Sequence, residues 1–455
     1  PIKISLYRPE IDGLRALAVM SVILFHAQIS KVIKGGYVGV DIFFVISGYL
    51  ITSIILKELK SKNSFSFNKF IQRRIRRILP VLFTMKLISI PFALILLPPS
   101  RIIEFSKSAF YSLGFLSNLY FYFSGLKYEA IEGLFIPLLH TWSLSVEEQF
   151  YIIFPILLLF FFRFLKNYIF FLLFFLLISS LLIAEIKSYE NQSLVFYFTF
   201  TRIWELIFGS LLSYFEFKNY KKNQNKFLNL TMPTIGLIMI LFSIIFFDEK
   251  TRHPSLITLI PIIGTSFIIW FANKNDYVTK LLSIKPLVFI GLISYSLYIW
   301  HFPIFSFAKI SGWASGSFIY KIVLGVVTIT ISTISYFILE NFFRNKNTLC
   351  KYVLYFIALT GSLIVILNFF IIKNDGYKNR FKNLEKVNKN YNLDNFYLET
   401  NRLSENFHEK KLFEKNKLNI LIIGDSHADD FRNMFFLNKE YFKSYDFMSL
   451  LENKT

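Results

Sequence analysis

Arg15 and His26 lie on the first strongly apolar segment of the chain, Asp12-Gly13-Leu14-Arg15-Ala16 through His26, and an ionisable residue inside a membrane helix marks chemistry or transport. Eleven helical steps of about 1.5 Å separate the two by roughly 16 Å along the bilayer normal. One helix therefore carries a cation toward one face and a proton acceptor toward the other. Asp41, in Gly39-Val40-Asp41-Ile42-Phe43-Phe44, follows across a short loop. A carboxylate within reach of an imidazole fixes its tautomer and strengthens it as a general base. The bland alternative is an outer-leaflet polar pair that only satisfies itself.

On the opposite face, Arg73-Arg74-Ile75-Arg76-Arg77 opens an apolar run. Four arginines there serve as an orientation signal, but guanidinium forks also suit bidentate phosphate binding. A phosphate-bearing cofactor is expected to dock at Arg73, Arg74, Arg76 and Arg77, with Arg15 at the same depth. The run from His140 to Tyr151 holds Thr141, Trp142, Ser143, Ser145, Glu147, Glu148 and Gln149. A helix cap explains its serines but not two adjacent acids entering a membrane. Arg202 and Glu205 are three apart and read as an intramembrane ion pair. His301, within Ser294-Tyr295-Ser296-Leu297-Tyr298-Ile299-Trp300-His301-Phe302-Pro303, either joins His26 in one polar pocket or bonds backbone groups freed by Pro303. Glu340 and Arg344 read as a surface pair. Near the end, Ser426 of Gly424-Asp425-Ser426-His427 follows the apolar strand Leu418–Ile423 and has the placement of a nucleophile. No later histidine follows to serve it as base. No metal site is expected.

The elements that must hold these groups are transmembrane helices. Of 455 residues, 54% are apolar and 19% aromatic, with 56 phenylalanines, against 18% charged, which is the composition of a polytopic membrane protein. The +20 net charge is distributed in short runs between apolar stretches, so it reads as orientation signal and requires no nucleic acid. A single cysteine, Cys350, excludes an intramolecular disulfide. The chain opens on Pro1 with no cleavable signal pattern, which reads as a trimmed start.

Twelve apolar segments of spanning length are expected, at about 12–29, 37–56, 78–98, 106–125, 143–162, 168–186, 195–215, 229–247, 256–272, 287–308, 317–338 and 352–372. The connection Lys57–Arg77 carries Lys57, Lys60, Lys62, Lys69 and four arginines against Glu58, which puts it and the N-terminus in the cytoplasm. Counting every later segment as a span would then place Lys218, Lys221, Lys222 and Lys226 outside. The Ser-, Tyr- and Gly-rich segment 106–125 is the one expected not to cross, as a re-entrant or interfacial element. Eleven spans and an extracytoplasmic tail result. After Lys373 the composition turns to Asn, Lys and Glu, an exposed linker, and a second domain begins at Leu418 and stops short of an ordinary domain's length.

Taken together, these runs resemble the membrane acyltransferase-three family, in the subgroup that carries a C-terminal SGNH-hydrolase-like domain. The family's Arg-x10-His pattern falls on Arg15 and His26. Its Arg-x-x-Arg motif falls on Arg74 and Arg77, with Arg73 and Arg76 as an alternative frame, and the Thr141–Phe150 and Ser294–Tyr298 runs resemble further signatures. Gly424-Asp425-Ser426-His427 resembles the first SGNH block; the Asn block and the closing Asp-x-x-His are missing from this chain. The resemblance implies an all-α bundle of about ten core spans (1–345), a linking transmembrane helix (346–372), an extracytoplasmic linker (373–417) and the start of an α/β SGNH-like domain (418–455).

It also implies O-acylation, most often O-acetylation, of a cell-envelope glycan: lipopolysaccharide O-antigen, peptidoglycan or exopolysaccharide. The donor is cytoplasmic acetyl-CoA, and the location a bacterial cytoplasmic membrane. In that reading Arg15, Arg73, Arg74, Arg76 and Arg77 hold the donor. His26, Asp41, Glu147, Glu148, His301 and Ser426 carry the chemistry. Asp41 or an outer glutamate orients His26, which acts as general base or transient acyl acceptor. The competing reading is a flippase for an anionic lipid-linked glycan, for which inverted repeats would speak; none is visible in the sequence. A third is a sensor whose outer tail binds glycan.

Overall fold

A computed structural model describes residues 7–28, 32–125, 131–218, 225–248, 250–313, 318–381, 417–424 and 444–451. The chain forms two compact units, Pro1–Gly376 and Tyr377–Thr455.

In the first unit the described elements are helical. They begin with α1 (Pro9–His26), α2 (Gly39–Lys62), α3 (Phe67–Leu96), α4 (Pro99–Leu113), α5 (Ser117–Phe123) and α6 (Thr141–Phe164). Next come α7 (Ile169–Ser188), α8 (Gln192–Tyr197), α9 (Thr199–Phe217), α10 (Lys226–Phe246), α11 (Leu259–Phe271) and α12 (Tyr277–Leu282). The last are α13 (Lys285–Leu292), α14 (Ser294–Ile310), α15 (Phe318–Ser335), α16 (Asn341–Arg344) and α17 (Cys350–Lys373).

Seven of these, counting short helical extensions, are long and apolar enough to cross a membrane, or eight if α13 and α14, bent by 67° to each other, form one span. The other three of the eleven expected segments fall on α1, α9 and α11, which are too charged or too short to count on length and composition alone. Helix α1 carries Glu10, Asp12 and Arg15 within 18 residues. Helix α9 carries Arg202, Glu205 and Glu216 within 19, and α11 has only 13 residues. Their polar side chains turn inward, where neighbouring helices take the place of water. The segment expected not to cross breaks into α4 and α5 at Gly114–Leu116, with Phe115 in the left-handed region at φ 54°.

The basic connection is not a loop. Asn63, at φ 54°, closes α2, and the Ser66 side chain accepts from the Lys69 N–H to start α3, so all four arginines sit on helix. Helix α2 packs along α9, α10 along α11, α1 against α13 and α14, and α17 against α3 and α4. Gly48 and Gly209 permit the first of these contacts. A Cβ on Gly48 would lie 1.8 Å from the Leu206 carbonyl oxygen, and one on Gly209 2.0 Å from that of Val45. Small residues at such crossings let two backbones meet without a cleft between them.

In the second unit, the described strands β1 (Leu418–Gly424) and β2 (Tyr445–Leu451) pair in parallel, with Leu418 opposite Tyr445. Parallel strands require a crossover connection. Ser426 and the rest of its motif beyond Gly424 lie outside the described residues.

Candidate active site

A seam of hydrogen bonds links the walls of two cavities. The first is lined by Arg15 from α1, Arg74 and Arg77 from α3, Ser47 from α2, Ser143, Glu147 and Tyr151 from α6, and Tyr295 and Tyr298 from α14. Two of the four arginines on α3 line it, and the other two are engaged elsewhere. Arg73 reaches Glu58 at 3.7 Å, and Arg76 donates to the Asn345 carbonyl at 3.1 Å. Of the four arginines expected at one ligand, Arg74 and Arg77 are the ones that line this cavity among the described residues. Arg15 is held by Asp12 at 3.0 Å, and the Arg74 guanidinium lies 4.4 Å from the Tyr151 ring centroid.

Glu147 accepts from Ser47 Oγ at 2.9 Å and from the Tyr151 hydroxyl at 3.3 Å. It belongs to the arginine cavity, not to the neighbourhood of His26, so it is no orienting partner for that imidazole. Glu148 is buried, and its Oε1 has no hydrogen-bond partner among the described residues.

The seam starts at Tyr298, whose hydroxyl is hydrogen-bonded to Ser143 Oγ and donates to the His140 carbonyl at 3.1 Å. The Tyr298 backbone carbonyl accepts from His301 Nδ1 at 2.7 Å. That bond fixes a tautomer: with its proton on Nδ1, His301 presents a lone pair at Nε2. His26 Nδ1 lies 3.2 Å from that atom and donates to it, which makes Nε2 the basic nitrogen of His26. The two rings stack with centroids 5.3 Å apart, and Phe302 meets His26 edge-on. His26 also lines the second cavity, together with Gln28, Phe302 and Ser306.

Asp41 does not serve His26. Its carboxylate accepts from Arg202 Nη1 at 2.9 Å and lies 2.7 Å from His253 Nε2, and the same guanidinium nitrogen donates to Glu205 at 2.7 Å. All four groups are buried. Burial and the Arg202 guanidinium hold the His253 imidazole, on the loop before α11, well below its usual range, so its neutral Nε2–H donates to Asp41. This cluster ties α2, α9 and that loop together. Removing one partner of a buried ion pair leaves a bare charge and costs about 3–5 kcal/mol. Arg202→Met, which strands two carboxylates, is expected to lower thermal stability in detergent by that order, checked by unfolding monitored on size-exclusion profiles.

Glu340 is likewise no surface residue. It is fully buried, accepts from Arg344 at 2.8 Å and from Ser296 Oγ at 3.2 Å, and sits in a π-helical turn, Tyr336–Glu340. Three groups escaped the sequence reading. His253 lies in a connection with no periodic signal. His140 was visible only as the first residue of a polar run; it is fully buried, stacks on Phe302, and has neither ring nitrogen hydrogen-bonded among the described residues. Lys86 is fully buried with Nζ equally unpartnered, and a lone lysine inside the apolar run from Ile78 to Leu97 was signal enough.

The profile of a family described as an acyltransferase domain matches residues 8–337. A Staphylococcus aureus (strain MSSA476) protein provisionally named as an O-acetyltransferase is 30% identical over 459 residues, covering 94% of this chain and 75% of its own length. The peptidoglycan O-acetyltransferase OatA of Listeria monocytogenes is 32% identical over 308 residues, covering 66% of this chain and 49% of its own. The O-acetyltransferase OatA of Staphylococcus aureus (strain NCTC 8325) is 32% identical over 357, covering 75% and 58%. No solved structure matches the chain.

Proposed function

Because this chain belongs to the acyltransferase-domain family, we propose that it is a multi-pass membrane O-acetyltransferase, moving an acetyl group from acetyl-CoA on the arginine side to a hydroxyl of a cell-envelope glycan on the other. The observation that carries this reading is the order of groups between the two cavities: Tyr298 in the wall of the first, His301 on its carbonyl, and His26 on His301 in the wall of the second. Peptidoglycan is the favoured acceptor, in keeping with the name of the Listeria relative.

In this mechanism Arg15, Arg74 and Arg77 bind the donor's phosphates. Three guanidinium groups suit a polyphosphate ligand, and Arg forks bind phosphate in a bidentate manner. The pantetheine arm points toward Tyr298. An acceptor hydroxyl entering the second cavity loses its proton to His26 Nε2 as its oxygen attacks the thioester carbonyl, and the thiolate departs. The imidazolium so formed keeps its Nδ1–H on the His301 lone pair, which favours the charged form. The basic end of α2 and start of α3 face the cytoplasm in this scheme, and strands β1 and β2 begin an extracytoplasmic SGNH-like domain.

Two measurements test the reading together. Mass spectrometry of surface polysaccharide with and without the gene is expected to show a gain of acetyl groups. Acetyl-CoA is expected to protect α3 from protease or arginine-modifying reagents applied to inside-out membranes. A flippase would give neither result, and protection from right-side-out membranes alone would overturn the proposed orientation.

A further inference from the structure

The second cavity carries positive charge that the reaction above does not use. Lys309 of α14 and Lys321 of α15 both line it, as do His26, Gln28 and Ser306. Lys321 Nζ donates to the Gln28 carbonyl at 2.6 Å, and Lys309 Nζ reaches Gln28 Oε1 at 3.5 Å. One glutamine thus draws two ammonium groups into the same wall. Among the described residues, no Asp or Glu lines the cavity and neither lysine makes an ion pair. Like charges held together without a counter-ion repel.

Gln28 takes the left-handed conformation at φ 49° to make this arrangement, a backbone state that a non-glycine residue adopts at a cost. Ser306 supplies a second, independent sign of a ligand. It is 2% exposed, it lines the cavity, and its hydroxyl has no hydrogen-bond partner among the described residues. Phe135, Phe302 and Phe305 complete the wall, with Lys309 5.1 Å from the Phe135 ring centroid. Aromatic faces beside hydrogen-bonding groups suit a sugar ring better than an acyl chain's headgroup.

Resting on the acetyl-transfer reading for the identity of the chemistry at His26, we propose that this cavity is an anion-selective acceptor subsite. Lys309 and Lys321 hold the carboxylate of an acidic sugar while one of its hydroxyls lies at His26 Nε2. The dimensions agree. Lys309 follows His301 by eight residues, roughly 12 Å along α14, and helical side chains lean back toward the N-terminus. That brings the ammonium to within one acid-substituted sugar of the imidazole pair.

The test uses the whole chain in neutral phosphatidylcholine nanodiscs, with N-acetylmuramic acid and N-acetylglucosamine as probes, since they differ by one carboxylate-bearing ether. Amine-reactive labelling of Lys309 and Lys321, read by mass spectrometry, is expected to slow several-fold with the acid and not with the neutral sugar. In acetyl transfer, Lys309→Gln combined with Lys321→Gln is expected to cut the ratio of kcat/KM for the acidic over the neutral sugar by about tenfold, the worth of one charge-assisted contact. Equal protection by both sugars, or protection by neither, would overturn the subsite. Labelling protection by the acid without acetyl transfer to either sugar would leave the subsite standing and sink the acetyl-transfer reading. Transfer to both sugars at equal rates with no protection would do the reverse.

Discussion

His26→Ala is expected to abolish glycan acetylation, lowering turnover by about 10²–10⁴-fold, the span of a lost general base, while membrane level and acetyl-CoA affinity hold. The reasoning rests on which contacts the substitution removes. His26 is 6% exposed and ends α1, so its loss opens space at the rim of an existing cavity and not a void in the core. The arginine cavity lies at the other end of the seam, so the donor's contacts are untouched. Acetyl groups per sugar on isolated envelope glycan, normalised to protein in the membrane, check it. Activity near that of the parent chain would remove His26 from the mechanism. His301→Ala is expected to act in the same direction but less steeply, because His301 works through the proton position on His26. Its signature is a change in the pH profile that loss of packing alone would not give.

Arg74→Ala and Arg77→Ala are each expected to raise the KM for acetyl-CoA by about 10–100-fold, corresponding to roughly 1.5–3 kcal/mol for a hydrogen bond to a charged group. The turnover number at saturating donor should move less, since phosphate contacts far from the reacting carbon bind ground state and transition state alike. Arg73→Ala and Arg76→Ala are the internal controls. Their side chains reach Glu58 and the Asn345 carbonyl, so donor KM should stay within about threefold, the loss of an exposed ion pair being small. Steady-state kinetics on membranes carrying each variant decide the matter. Equal effects from all four substitutions would mean that a diffuse field, and not two directed forks, attracts the nucleotide.

Much of this site was legible in the chain because the bilayer makes polar residues conspicuous. Arg15, His26 and His301 each interrupt an apolar run and Glu147 stands in a polar run at the edge of one, and each lines one of the cavities or touches a residue that does. Partners were not legible. Asp41 stands close to His26 in sequence, yet its carboxylate is claimed by Arg202 and His253, 161 and 212 positions away, and no periodicity reports a contact of that range. The choice between arginine frames turned on the partners that Glu58 and Asn345 offer Arg73 and Arg76, which a run of four cations conceals. Segments 12–29 and 195–215 were legible as apolar runs, but their inward, paired charges leave α1 and α9 below what length and composition alone would accept as a membrane helix.

The seam also bears on the charge balance of the membrane. Ser143, Tyr298, His301 and His26 are linked by hydrogen bonds between the two cavities, so in the proposed reaction the proton taken from the acceptor hydroxyl is first held by the seam itself. The acetyl group carries no charge as it changes sides, and the side to which that one proton is released then decides whether a turnover moves charge across the bilayer.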